Sequence, residues 1–140
     1  MKFNKLFENI FKGAADDEVT DRKYIAFDKK YGIDLKNPDD PKNNWDKFNG
    51  YTWYSILVDY PELIDRANLS KLDGSNWISL IFIYPQFAKY ADWSKLSGFD
   101  WASLLISQPQ YIKYCDYSKL TEFEWNWILS KQPQLEKYRK

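Results

Sequence analysis

A chain of 140 residues is long enough for one domain with a core of its own, and 19% aromatic content with seven Trp supplies the bulk for it. Lys plus Arg equal Asp plus Glu at 20 each, and the first 50 residues alone divide ten against ten. Nucleic-acid binding draws most of its free energy from phosphate neutralisation, so this balance argues against nucleic acid as a main partner. One Cys and no His exclude an intramolecular disulfide framework and remove the commonest general base and metal ligand, which points away from ordinary hydrolytic or zinc chemistry.

The first predicted element covers residues 1–13. Phe3, Leu6, Phe7, Ile10 and Phe11 fall at i, i+3, i+4, i+7 and i+8, an amphipathic helix flanked by Lys2, Lys5 and Lys12. Its simplest role is to cap the fold. A partner-docking helix using Phe3, Phe7 and Phe11 is the first alternative, and a membrane-surface helix the second, weakened by Glu8 and the lack of Trp. Asn4, Lys5, Glu8 and Asn9 interrupt any apolar core of a secretory signal, and no run is long enough to span a membrane, so the expected location is the cytoplasm.

After Gly13-Ala14-Ala15 and the acidic Asp16-Asp17-Glu18, a second helix is predicted over residues 21–31, with Tyr24, Phe27 and Tyr31 on one side and Gly32 ending it. Residues 34–44, with Pro38 and Pro41, read as a polar, solvated connector. Asp34, Asp39 and Asp40 fit no EF-hand calcium spacing.

From residue 43 onward the chain repeats every 24 residues, most plainly at Trp53, Trp77, Trp101 and Trp125 and at Pro61, Pro85, Pro109 and Pro133. Such spacing predicts a solenoid, in which each unit buries its apolar face against its neighbours. Trp101, Leu104 and Leu105 share a helical face, and the column Asn49, Asp73, Ser97, Thr121 supplies a helix N-cap in every unit. Thr121 with Glu124 forms a capping box, and Ser97 with Asp100 a weaker one. Pro cannot continue that helix but suits the first turn of another, so a second short helix follows in each unit. Asp92 and Asp116 then cap the short 3₁₀ or α-turns that begin at Trp93 and Tyr117. The predicted fold is all-α: residues 1–42 an N-terminal helical cap and connector, and residues 43–140 a short helical-repeat solenoid of about four units.

The period and the short helices resemble the leucine-rich repeat variant, a solenoid that alternates α- and 3₁₀-helices. The segments D-W-S-K-L at Asp92 to Leu96, D-W-A-S-L-L at Asp100 to Leu105 and Q-P-Q at Gln108 to Gln110 are similar to tandem Trp/Pro repeats of uncharacterised bacterial proteins. That second resemblance covers residues 44–140 and implies a fold without an assigned activity. The cysteine-rich segment of the leucine-rich repeat variant is missing, so no iron–sulfur cofactor is implied.

The repeat constrains each functional reading. The Trp column belongs to the core, since burying one Trp removes ~200 Å² from water. Cys115 shares its column with Ala67 and Ala91 and reads as a buried structural thiol, while the column Lys47, Lys71, Lys95, Lys119 reads as a solvated face rather than a nucleic-acid stripe. The outliers lie at the ends of the first helices, where Val58, Tyr60, Phe82, Ile83 and Tyr84 are apolar but later copies turn polar. These five residues either anchor a protein partner or contact the N-terminal segment. The expected function is a non-enzymatic protein–protein interaction module without catalytic residues, cofactor or metal. The runner-up is a small phage- or mobile-element-encoded inhibitor of a host defence or regulatory protein, acting by surface binding. A carboxylate or Tyr enzyme and a nucleic-acid binder follow.

Overall fold

The computed structural model describes residues 17–140, and every regular element among them is helical. Residues 1–16, with Phe3, Phe7 and Phe11, lie outside the described residues. The chain divides into two compact units, Met1–Leu69 and Ser70–Lys140.

In the first unit, α1 (Asp17–Tyr31) is longer at its start than the sequence predicts and ends at Gly32, whose φ of 69° lets its N–H reach the Asp28 carbonyl at 2.7 Å. α1 turns Phe27 inward, with its ring 4.7 Å from both Tyr31 and Tyr60. The connector is solvated along most of residues 34–44, as the sequence predicts, but it is anchored by the buried Leu35 and Pro38. Ile33 is buried as well, and three successive turns (Asn37 N–H to Asp34, Asp40 to Asn37, Asn43 to Asp40) fold it against itself. The Asn43 side chain ties the two ends, accepting from the Asp34 N–H at 2.9 Å and donating to the Asn37 carbonyl at 2.8 Å. A 3₁₀ turn at Trp45–Lys47, α2 (Gly50–Asp59) and a 3₁₀ helix at Pro61–Asp65 complete the first repeat.

The second unit holds α3 (Gly74–Ile83), α4 (Gly98–Ser107) and α5 (Glu122–Lys131), each ten residues long. Each is followed by a 3₁₀ helix, Pro85–Tyr90, Pro109–Tyr114 and Pro133–Tyr138 in turn. Single 3₁₀ turns at Trp93–Lys95 and Tyr117–Lys119 lead into α4 and α5. The N-cap column works as the sequence predicts: Asn49 and Asp73 accept from backbone N–H groups three residues on at 2.8 Å, and Ser97 does so at 3.1 Å. Asp73 and Asn76 add a capping box absent from the sequence reading. The helix after each Pro is 3₁₀ throughout. The residue before Pro is held extended (Tyr84 φ −129°, ψ 86°), and five or six residues leave little room for i→i+4 bonds before the chain turns again.

Within the second unit α3 packs on α4 and α4 on α5. Trp77, Leu80, Trp101, Leu104, Leu105 and Ile128 are fully buried and Trp125 is nearly so. In each unit one Trp stacks on another: Trp45 lies 5.8 Å from Trp53 with planes 4° apart, and Trp93 lies 5.5 Å from Trp101 at 22°. The indole N–H groups of Trp53, Trp77 and Trp101 are buried without a hydrogen-bond acceptor among the described residues.

Two columns explain how successive units lock. Lys95 Nζ donates to the carbonyls of Ser70 and Leu72, the latter at 2.8 Å, and Lys119 Nζ repeats this on Ser94 at 2.6 Å and Leu96 at 2.8 Å. These lysines are therefore not part of a solvated face. Each reaches back to carbonyls of the preceding repeat, where an ammonium offsets the cost of burying them. Lys47 lies against the C-terminal end of α1, where a Cβ on Gly32 would come within 3.1 Å of its Nζ. The second device is glycine at the first helical position. A Cβ on Gly74 would sit 2.5 Å from the Lys95 carbonyl oxygen, and one on Gly98 would come closer still to that of Lys119. The backbone of each following repeat thus runs directly over the glycine.

Candidate functional site

Two phenylalanines of the second unit stay in water beside a half-buried Trp. Phe99 on α4 and Phe123 on α5 are 61% and 69% exposed, and with Asn126 and Trp127 they line an open groove of about 480 Å³. Phe99 and Trp127 form its wall, their ring centroids 5.4 Å apart and tilted by 36°. Helix geometry explains the exposure. Phe99 precedes the buried Trp101 by two residues, and Phe123 and Trp127 flank Trp125 at the same interval, which places each about 200° around the helix from the core Trp. α5 therefore carries aromatic surface on two faces. No charged side chain lines the groove, and Asn126 Oδ1 accepts from Arg139 at 3.3 Å beside it.

Phe99 and Phe123 belong to the column Tyr51, Ser75, Phe99, Phe123, in which Tyr51 is 75% exposed in the other unit. Sequence reasoning passed over this column. Three aromatics next to an N-cap and two residues before a core Trp face away from the core, which was the available signal.

Of the residues singled out from sequence, Phe82 and Ile83 at the end of α3 are both 46% exposed, while Tyr84 is partly covered with its ring 5.1 Å from Phe87. Val58 and Tyr60 lie in the other unit and are half-buried. The Tyr60 ring meets Phe27 of α1 edge-on at 4.7 Å, with Lys23 Nζ 5.7 Å above it. Tyr60 is thus covered in part by α1.

Among the described residues no group of three or more Cys, Asp or Glu side chains gathers as a metal ion would need. Cys115 is half-buried rather than a core residue as its column predicts, and burial, aided by Asp116, still pushes its thiol up to about 12, which keeps it protonated and unreactive. Asp34 accepts from the Lys36 N–H and the Asn37 side chain, Asp39 pairs with Arg66 at 2.6 Å, and Asp40 accepts from the Lys42 N–H. Asp92 and Asp116 are held below the usual carboxylate range chiefly by the hydroxyls of Ser94 and Ser118. Glu62 differs, being 2% exposed with its carboxyl raised to about 7 by desolvation. Its counterparts Gln86, Gln110 and Gln134 are exposed, so burial is peculiar to the repeat that meets α1, whose Lys23 and Tyr24 interact electrostatically with Glu62.

No helix among the described residues is long and apolar enough to cross a membrane. In comparison with known proteins, no family model, no curated relative and no solved structure matches the chain.

Proposed function

We propose that the chain acts without catalysis as a protein-binding module, and that the groove of Phe99, Phe123 and Trp127 grips an apolar side chain of another protein. The observation that carries this reading is that Phe99 and Phe123, the two most exposed large apolar side chains of the second unit, converge on Trp127 around one uncharged groove. Covering a Phe is worth ~1.5–3 kcal/mol, and interface energy concentrates in such aromatic clusters. An uncharged lining favours an aromatic or aliphatic anchor over a charged one. Phe82 and Ile83 are a second exposed pair in the same unit, and Phe3, Phe7 and Phe11 remain a proposed third contact.

The test is affinity capture from bacterial lysate with three folded baits: the native chain, Phe99→Asp/Phe123→Asp and Phe82→Asp/Ile83→Asp. The groove reading expects the first variant alone to lose the native chain's partners. Identical recovery by native chain and Phe99→Asp/Phe123→Asp would sink it.

A further inference from the structure

The junctions inside the second unit define what a repeat needs from its neighbour. A following unit sets a lysine across two carbonyls of the unit before it, at Ser70 and Leu72 and again at Ser94 and Leu96. It also runs its backbone over a glycine, Gly74 and then Gly98. Advancing by one period leads to the Ser118 and Leu120 carbonyls and to position 122. There a groove of about 610 Å³ opens, lined among others by Tyr117, Ser118, Leu120, Glu122, Trp125 and Arg139. Its floor is core-like, since Leu120 and Trp125 are only 8% and 6% exposed.

One feature breaks the pattern, because position 122 is Glu where the two preceding junctions have Gly. The Glu122 side chain is 82% exposed and lies 3.9 Å from Arg139. Its Cβ occupies the place over which a further backbone would have to pass, as the Gly98 geometry demonstrates. Charge acts in the same direction. The capping carboxylate of each following unit comes to rest beside the glycine, with Asp100 Oδ2 2.5 Å from a Cβ on Gly74 and Glu124 Cδ 3.4 Å from one on Gly98. A carboxylate at 122 would face that group directly.

We propose that the Tyr117–Trp125 face is an interaction surface shaped for one more 24-residue unit of this same kind, and that Glu122 closes it. The occupant it fits is a repeat whose lysine donates to the Ser118 and Leu120 carbonyls. Glu122 keeps such a repeat, presented by a second copy of the protein, from stacking there.

The experiment inserts a copy of residues 115–138 between Tyr138 and Arg139 of the full chain, with Glu, Ala or Gly at position 122. With Glu122→Gly the added unit folds on the face: far-UV ellipticity grows by one helix, the added segment resists trypsin, and Tm rises by roughly 5 °C or more over the unextended Glu122→Gly chain. With native Glu122, or with Glu122→Ala, which keeps the Cβ and removes the charge, the addition is cut rapidly and Tm stays put. Equal protection of the added unit with Glu and Gly would overturn the proposal, and so would no protection with Gly. Protection with Ala but not Glu would overturn the steric part and leave charge as the closing device.

Discussion

Replacing Gly98 by Ala tests the close packing of successive repeats. In an unhindered helix the change would add ~0.5–1 kcal/mol of stability, because Ala loses less backbone freedom on folding. Here the new methyl would meet the Lys119 carbonyl oxygen well inside any normal contact, and Glu124 Cδ at 3.4 Å. The obstacle is backbone, so it cannot rotate away. Relief requires the Tyr117–Lys119 turn to move, and overpacking of that kind costs ~1–3 kcal/mol. The movement also stretches the bonds from Lys119 Nζ to Ser94 and Leu96, charge-assisted contacts worth ~1.5–3 kcal/mol each when intact. A partial loss of these, less the gain in propensity, leaves a net destabilisation of ~2–4 kcal/mol. Urea unfolding followed by Trp fluorescence and far-UV ellipticity measures it, with Glu122→Ala as the control, expected to stay within ~0.5 kcal/mol. Equal or greater stability of Gly98→Ala would refute the argument, since the glycine would then serve no close approach.

Lys119→Met leaves two carbonyls without their ammonium and should cost ~1–3 kcal/mol, against less than ~0.5 kcal/mol for the exposed Lys113→Met; equal losses would place both ammonium groups in water. Trp101→Ala empties a fully buried site and should cost ~3–5 kcal/mol in the same urea experiment, so an unchanged midpoint would remove it from the core. Burial pushes the Glu62 carboxyl up to about 7 in the folded chain from its ordinary 4.5, so its contribution is fully present below pH 4.5 and is lost as pH rises through 7. The loss is on the order of 3 kcal/mol, and Glu62→Gln should flatten the stability profile between roughly pH 5 and 8; a profile unchanged by that substitution would show the carboxyl to be hydrated.

The helices were legible because several signals coincide on one period: Trp53, Trp77, Trp101 and Trp125 mark the buried face, and Asn49, Asp73, Ser97 and Thr121 mark each start. Within the lysine column the solvated-face reading holds for the exposed Lys47 and Lys71 and fails for Lys95 and Lys119, whose acceptors are main-chain carbonyls 23 or 25 residues away that no residue letter displays. The aromatic groove escaped for another reason. Phe99 and Phe123 repeat with the same period as the core Trp but on the outward face, and only their offset from Trp101 and Trp125 distinguishes the two. The switch from Gly98 to Glu122 is visible in the letters, and its meaning required the position of the Lys119 carbonyl.

The stacked indoles give each unit an optical label of its own. Trp45 on Trp53 and Trp93 on Trp101 are close enough for their transitions to couple, so each pair should produce an exciton doublet in circular dichroism that vanishes when its rings part. Trp45→Phe and Trp93→Phe each silence one doublet and leave the other to report. Heating the two variants side by side then reads whether the halves of the chain melt together or in sequence.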